Sequence, residues 1–113
     1  METKIITKKD LDANNSIEEI VFEGNLEFEE GLGYVVIQKK VSVLGYIFAE
    51  AGTGIEAGEG IKAGEGIISF FGGLIAKWVS CLRVAVGFNV TEEKTIKAEI
   101  RKGTVILGRI EKN

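Results

Sequence analysis

Hydrophobic and polar residues alternate in a repeated unit of six residues near the middle of the chain. The unit reads Gly-Ile-Glu-Ala-Gly-Glu at residues 54–59 and Gly-Ile-Lys-Ala-Gly-Glu at residues 60–65, and it begins again as Gly-Ile-Ile-Ser at residues 66–69. In an extended strand, the first and third side chains of each apolar-x-small triplet point to one face and the middle one to the other. The repeat therefore predicts short β-strands with Ile and Ala directed inward and Glu and Lys directed outward.

Similar triplets recur along the rest of the chain at intervals of about twenty residues, which indicates a longer repeat that contains the six-residue one. They form three columns, which we expect to become three sides of a coil. The first column contains Val35, Ile37, Ile55, Ala57, Ile75, Ile96 and Ala98; the second contains Ile20, Phe22, Val41, Val43, Ile61, Ala63, Val79, Cys81 and Ile100; the third contains Leu26, Phe28, Ile47, Ala49, Ile67, Ser69, Val84, Val86 and Ile106.

These columns predict an all-β protein, a short parallel β-helix (β-solenoid) with three strands per turn and about 20 residues per turn. Residues 17–113 would form this domain in about four and a half turns, and the pattern leaves its handedness open. We expect the Gly-Glu-Gly segments to turn through positive φ, which glycine adopts readily. One corner of the coil is expected to recur at Gly31, Gly33, Gly52, Gly54, Gly72 and Gly73, with residues 91–94 in the fourth position.

Other architectures explain the pattern less well. Eight glycines lie in residues 52–73, and each costs a helix interior about 1 kcal/mol relative to Ala. An antiparallel sandwich also has alternating strands and stays open as a rival, although it does not explain a six-residue repeat inside a twenty-residue one. The apolar residues 67–90 contain Lys77 and Arg83, each of which opposes a membrane-spanning helix by roughly 2.5–3.5 kcal/mol. No membrane association is expected.

Both ends of the chain differ from the repeat. Residues 1–16 fall outside the period and are expected to form an N-terminal cap or a flexible segment, and they lack the apolar core of a secretory signal. Residues 104–110 are apolar and rich in β-formers, so the last strand edge would be a seam for self-association through Ile106 and Ile110. A homo-oligomer, for example a dimer, is therefore expected.

Composition narrows the classes of function. Fourteen Lys and Arg against seventeen Asp and Glu give a net charge of −3, which argues against direct nucleic-acid binding. The 113 residues include no His and one Cys, which excludes Ser-His and Cys-His nucleophiles, most zinc sites and an internal disulfide. A Gly-x-Gly-x-x-Ala spacing at residues 52–57 imitates a dinucleotide fingerprint, but no helix is expected to follow it. We expect no cofactor and no enzymatic activity, and a reducing cytoplasm as the compartment.

The Ile-x-Ala-Gly-x-Gly units at residues 55–66 resemble the repeats of small β-solenoid proteins from bacteriophages and other bacterial mobile elements. This resemblance implies a scaffold rather than a particular activity. It also implies a setting, the cytoplasm of a host cell, in which small phage proteins such as anti-CRISPR inhibitors block host defence complexes. Hexapeptide acyltransferases and γ-type carbonic anhydrases share the architecture but rely on histidine, which this chain lacks.

Aromatic residues are the strongest candidates for an interaction site. Trp78 is out of phase with the inward Val79, and adjacent Phe70 and Phe71 must point to opposite faces of an extended strand. We predict a protein interface that includes Phe70, Phe71, Trp78 and Phe88 together with Ile106 and Ile110, unless residues 1–16 or the loop at residues 88–94 cover these aromatics within the monomer.

Two further groups of residues have simpler interpretations. Cys81 lies in an inward column, where a thiol packs as a small hydrophobe. Glutamates could align as an outward acidic strip that coordinates a cation, although a solvated face is the favoured interpretation; they are Glu29, Glu50, Glu56, Glu59 and Glu65.

The leading hypothesis is therefore a non-enzymatic protein-binding module, encoded by a phage or mobile element, that inhibits a host defence complex by steric occlusion. The alternative is a structural solenoid that assembles end to end in the manner of bactofilins.

Overall fold

The computed structural model describes residues 1–50, 52–69, 73–86 and 95–111. Apart from one turn of 3₁₀ helix at Lys8–Asp10, the regular structure in these residues is β-strand. The strands in chain order are β1 (Thr3–Ile6), β2 (Ser16–Ile17), β3 (Ile20–Phe22), β4 (Asn25–Phe28), β5 (Gly33–Ile37), β6 (Val41–Val43), β7 (Ile47–Ala49), β8 (Thr53–Ala57), β9 (Gly60–Ala63), β10 (Gly66–Ser69), β11 (Leu74–Val86), β12 (Thr95–Leu107) and β13 (Arg109–Glu111).

The strands pair in parallel and coil into three faces, which confirms the predicted β-solenoid of about four turns and roughly 20 residues per turn. The first face contains β2, β5, β8, the start of β11, the start of β12, and β13. The second face contains β3, β6, β9 and the middle parts of β11 and β12. The third face contains β1, β4, β7, β10 and the ends of β11 and β12.

The core is the space enclosed by the three faces, and the predicted columns fill it. Burying these side chains supplies the main driving force for folding, since each large aliphatic contributes roughly 1.5–3 kcal/mol. Within the predicted columns, the residues that are less than 5% exposed are Val35, Ile37, Ile55, Ala57, Ile96 and Ala98 on the first face, Ile20, Val41, Val43, Ile61, Ala63, Val79 and Cys81 on the second, and Leu26, Phe28, Ile47, Ala49, Ile67, Ser69, Val84 and Val86 on the third.

One position in the first column was predicted wrongly. Ile75 was expected to point inward, but Leu74 pairs with Ile55, and both Leu74 and Ala76 are buried. Ile75 instead pairs with Glu56 on the outer surface. The turn between Ile55 and Leu74 is one residue shorter than twenty, so the phase of the alternation shifts by one.

The glycines of the corners serve two different purposes. Gly31, Gly33 and Gly52 have φ values between 71° and 78°, a region that favours glycine. Gly58 and Gly64, in the Gly-Glu-Gly segments, do not have positive φ, so the prediction for these segments was wrong. A β-carbon at Gly58 or Gly64 would collide with a backbone carbonyl oxygen of the preceding turn, so close stacking of the turns is what requires glycine there.

A buried hydroxyl fixes the corner that leads into the first face. Thr53 is completely buried, and its Oγ1 donates to the Glu29 carbonyl at 2.6 Å and accepts from the Leu32 amide at 3.0 Å. Ser69 Oγ in turn donates to the Thr53 carbonyl at 3.3 Å. Because buried backbone groups need partners, these bonds join two successive turns of the coil where no strand pairing does.

Strands β11 and β12 have 13 residues each and continue across all three faces without a glycine corner between faces in β11. β11 pairs with β8, β9 and β10 on one side and with β12 on the other, with register shifts where the chain bends. The last two full turns therefore consist of bent continuous strands rather than three separate ones.

Part of the N-terminal segment joins the coil. β1 pairs with β4 on the third face, and the side chain of Leu11 packs against the core. Asn15 has a φ of 59°, and its Nδ2 donates to the carbonyls of Leu32 and Tyr34, both at 2.7 Å. These side-chain hydrogen bonds replace the strand pairing that is missing at this end of the first face.

No helix among the described residues is long and apolar enough to cross a membrane.

Candidate protein-binding surface

The outward side chains of the three faces differ in chemistry. Along the middle of the second face, successive rungs carry Val21, Ser42, Lys62, Ser80 and Lys102, of which only Val21, on the first rung, is apolar. The first face is mixed, since it alternates Val36, Glu56, Ile75 and Lys97. The third face carries Ile5, Glu27, Phe48, Ile68 and Ala85 in register, and four of these five are apolar.

We call Ile5, Phe48, Ile68 and Ala85 the apolar stripe. Phe48, Ile68 and Ala85 are the middle residues of their triplets, so their side chains leave the coil while their neighbours enter the core. Ile5 precedes the buried Ile6 and continues the same register on the first rung. Ile5 is 54% exposed and Ile68 is 38% exposed, and Phe48 and Ala85 are half-buried. The stripe follows the coil axis over five rungs, interrupted once by the half-buried Glu27.

The apolar character extends to the corner that borders this face. Among the described residues, eight large hydrophobic side chains are exposed, and four of them lie on the third face or at its border with the second. Those four are Ile5, Ile68, Leu44 and Leu82. A concentration of exposed apolar side chains on one side of the coil is typical of a protein interaction site.

A groove of about 400 Å³ lies beside the stripe. Its floor is Gly66, which has no side chain, and its walls include Tyr46 and Arg83 on the neighbouring rungs. Glu65, Ile68 and Ala85 also line it. The Tyr46 amide donates to the Asn25 side-chain oxygen Oδ1 at 3.1 Å, and the Tyr46 hydroxyl donates to Glu27 Oε1 at 3.5 Å. The third face therefore offers an apolar ridge next to a recess, with an arginine at the edge of the recess.

Trp78 lies outside the core, as its phase predicted, and it is half-buried on the second face. It pairs with Gly60 on one side and Glu99 on the other. The Arg101 guanidinium carbon lies 5.0 Å from the centroid of the Trp78 ring, and Arg101 Nε lies 3.3 Å from Glu99 Oε1. The indole is therefore covered by residues of its own chain, and the third face, not Trp78, carries the larger exposed apolar area.

The other predicted interface residues are described only in part. Phe70, Phe71 and Phe88 lie outside the described residues, and so does the side chain of Ile106, whose backbone belongs to β12. Ile110 in β13 is 48% exposed on the first face. The structure therefore places Trp78 and Ile110 on different faces rather than in one patch.

The five glutamates do not form one strip. Glu29 and Glu50 follow the paired residues Phe28 and Ala49 at one corner, and the Glu29 carboxylate accepts the Lys8 amide at 3.0 Å. The remaining three lie elsewhere: Glu56 is in β8 on the first face, whereas Glu59 and Glu65 lie at two different corners. Within the described residues, no group of three His, Cys, Asp or Glu side chains is placed to hold a metal ion.

Cys81 is buried in the second column, as predicted. Burial raises the pKa of its thiol, and Sγ lies 3.4 Å from the Arg83 carbonyl oxygen that it faces. A raised pKa disfavours the thiolate, which is the nucleophilic form. This environment is typical of a packing residue.

The sequence contains a signal for the apolar stripe that does not lie in its aromatic residues. In the third column the middle residues of the triplets are Glu27, Phe48, Ile68 and Ala85, whereas the repeat places Glu and Lys at the equivalent positions of residues 55–63. Apolar residues at outward positions on successive turns could have been identified once the three columns were aligned.

Comparisons with known proteins found no matching family model, no similar curated protein and no similar solved structure.

Proposed function

We propose that this protein is a non-enzymatic protein-binding module that acts through its third face. The observation that carries the proposal is the difference between the faces. Apart from Val21 on the first rung and the half-buried Trp78, the outward residues of the second face are charged or carry hydroxyls, whereas the apolar stripe covers the third face. Outward positions of a solenoid contribute nothing to the core, so exposing apolar residues there to water is unfavourable. A partner that covers them gains the free energy of burying this surface.

The coil suits this function because it is rigid. Every strand of the third face is paired on both sides except at the ends, and the aliphatic residues beneath it are fully buried. A surface that does not need to be ordered on binding loses little conformational entropy, which favours affinity. The mechanism we propose is steric occlusion, in which the rigid face covers a functional surface of the partner.

For the partner we propose a host defence complex in the cytoplasm of a bacterial cell, with this chain encoded by a phage or mobile element. The support is the resemblance of the repeats at residues 55–66 to small phage solenoids and the short length of the chain. The net charge of −3 also favours a protein partner over a nucleic acid.

The experiment that tests the binding face uses a photo-crosslinking amino acid at position 68, on the stripe, and at position 62, the equivalent outward position of the preceding strand. After illumination of cells, we expect position 68 to yield one foreign protein that is absent from the position 62 sample and from a Phe48→Glu background. The captured protein, once purified, should bind the parent chain and Lys62→Glu but not Ile68→Glu. Equal adducts at both positions would contradict the proposed face.

The defence role has a separate readout. The chain would be expressed in bacteria that carry an active CRISPR system targeting a plasmid, and plasmid survival would be counted. We expect survival with the parent chain and Lys62→Glu, and loss of survival with Ile68→Glu. If several different defence systems all clear the plasmid in the presence of the parent chain, the defence role is wrong.

One observation favours end-to-end assembly as a second candidate. Among the described residues β13 pairs only with β12, and Ile110 in β13 is 48% exposed. An unpaired strand edge can add a strand of another subunit. At the other end, however, the Asn15 side chain already occupies the Leu32 and Tyr34 carbonyls. Light scattering on the parent, Ile110→Glu and Ile106→Glu tests this candidate: polymers that the charged variants abolish would support it, and a fixed small mass would exclude it.

A further inference from the structure

We infer that the third face binds a second copy of this chain across a two-fold axis that runs parallel to the strands. The inference rests on the proposed function because it uses the same face. The partner that it names is a second copy of the chain, which is present in any purified sample. It is carried by the pattern of shape and charge along the six rungs of this face.

Such an axis keeps the direction of the strands and reverses the order of the rungs. On the third face that order is β1, β4, β7, β10, the end of β11 and the end of β12. The first rung then lies opposite the sixth, the second opposite the fifth, and the third opposite the fourth. A two-fold interface is self-complementary, so each contact occurs twice.

Shape complementarity is found at the two central rungs. Tyr46 immediately precedes β7, and Gly66 occupies the equivalent position of β10. The Tyr46 ring of one copy would therefore lie opposite the recess above Gly66 of the other copy. Phe48 would lie opposite Ile68, so the most apolar part of the stripe is covered at the centre of the interface, where excluded water contributes most to affinity.

Charge complementarity is found at the second and fifth rungs. Glu27 lies in the column of Ala85, two residues along β11 from Arg83, and its carboxylate accepts from the Tyr46 hydroxyl of its own chain at 3.5 Å. The two-fold axis brings Glu27 of one copy opposite Ala85 of the other, a diagonal distance that the long Arg83 side chain can span. Within one chain the two charged residues are three rungs apart, about 14 Å, too far for an ion pair. An ion pair between Glu27 and Arg83 can therefore form only between copies.

The charges also select the orientation. If the two coils packed with their axes parallel, each rung would face the same rung of the other copy. Glu27 would then share facing rungs with Glu27 of the other copy, and Arg83 with Arg83, and like charges on facing rungs oppose binding. The antiparallel arrangement replaces both repulsions with attractions.

The size of the face sets the expected affinity. Six rungs span about 29 Å and one side of a twenty-residue turn spans about 20 Å, so each copy would bury roughly 600 Å². Stable interfaces bury about 800 Å² per partner. We therefore expect a reversible dimer with a dissociation constant of roughly micromolar magnitude.

Sedimentation equilibrium over a wide range of protein concentration tests the inference. We expect the mass to rise from one chain to two chains and no further. Ile68→Glu should raise the dissociation constant at least about tenfold because it places a charge in the centre of the contact. Lys62→Glu, the matched change on the second face, should leave it unchanged. Circular dichroism and thermal unfolding of each variant establish that the fold is intact.

A charge exchange between copies provides the sharper test. Glu27→Arg alone places two arginines opposite each other, and Arg83→Glu alone places two glutamates opposite each other, so each variant should remain monomeric where the parent dimerises. An equimolar mixture of the two should form a heterodimer, because one contact is then native and the other has its charges exchanged. The double variant should also dimerise. Failure of both the mixture and the double variant would overturn the inference.

The remaining outcomes separate this inference from the proposed function. A parent chain that stays monomeric throughout, or one whose mass grows beyond two chains, overturns the dimer. A monomeric chain that still crosslinks to a foreign protein from position 68 leaves the proposed function standing without the dimer. A dimer with no foreign adduct at position 68 supports this inference and contradicts the proposed one.

Discussion

The indole ring of Trp78 lies directly against the α-carbon of Gly60, its partner on the preceding rung of the second face. A β-carbon added at position 60 would fall inside the indole, with its nearest atoms all belonging to the Trp78 side chain. Gly60 does not have positive φ, so glycine is needed at this position for space rather than for backbone conformation. Gly60 is therefore required to leave space for the Trp78 ring, which its position in a corner does not explain.

Gly60→Ala is expected to destabilise the protein by about 1–3 kcal/mol, the usual cost of inserting a carbon into a packed contact. Urea unfolding followed by circular dichroism measures this cost. Gly66→Ala is the matched control in β10, because its added carbon would meet only the Arg83 carbonyl oxygen, at 3.3 Å. We expect a smaller loss there.

A double-mutant cycle identifies the cause. In a Trp78→Ala background the ring is gone, so adding Gly60→Ala should cost far less than it does in the parent. Equal costs in both backgrounds would show that the indole is not what position 60 must accommodate.

Asn15 should stabilise the fold both through its positive-φ backbone conformation and through its two side-chain hydrogen bonds. Asn15→Gly retains the positive φ but removes the bonds to Leu32 and Tyr34, so we expect a loss of about 1–3 kcal/mol in the free energy of unfolding. Asn15→Ala should lose more, since alanine adopts this conformation at a further cost. Chemical denaturation of the pair gives the order, and an alanine variant as stable as the glycine variant would contradict it.

The Thr53 hydroxyl is expected to be needed for the corner in which it is buried. Thr53→Val keeps the shape but leaves the Glu29 carbonyl and the Leu32 amide without this partner, which should cost about 1–3 kcal/mol. Thr53→Ser retains the hydroxyl and should recover most of the loss. A valine variant that unfolds at the same urea concentration as the parent would show that water replaces the hydroxyl.

Stability should fall at alkaline pH through Cys81. Burial raises the pKa of the Cys81 thiol, so the folded state keeps a proton that the unfolded chain releases. The thiol's contribution is fully present below the unfolded pKa of about 8.5 and is lost as pH rises through the higher folded pKa. Between about pH 7.5 and about pH 9.5, the parent should lose more stability in urea than Cys81→Ala does. Parallel losses would contradict the prediction.

The inward columns were predictable because they obey the alternation of a strand over four turns. The alternation failed as a guide only at Leu74, Ile75 and Ala76, where three consecutive apolar residues satisfy either phase. The register with Ile55 and Glu56 decides between the two phases, and that register depends on the length of a turn that no local pattern specifies.

The candidate site was harder to predict than the core. Residue type alone made Trp78 a candidate interface residue. Its exposure, however, depends on Gly60 beneath it and Arg101 above it, and these residues meet only when the turns stack. The exposed Ile68 resembles a core residue by type and is distinguished only by its place in the triplet. Residue type predicted burial well, but the outer surface required the alignment of one turn on the next.

The nearly constant length of the turns also determines how the chain can fold. Successive pairs on the third face join Thr3 to Asn25, Leu26 to Ile47, and Ile47 to Ile67, so every pairing closes a loop of about the same size. The entropy lost on closing a loop depends weakly on its length, and each turn contacts only its neighbours. Closure of the first two turns against each other is therefore expected to be the slow step. Each later turn then pairs with a turn that is already folded, at nearly the same cost in loop-closure entropy. Refolding should consequently proceed along the coil axis as a moving front, with a single nucleation event and no long-range search.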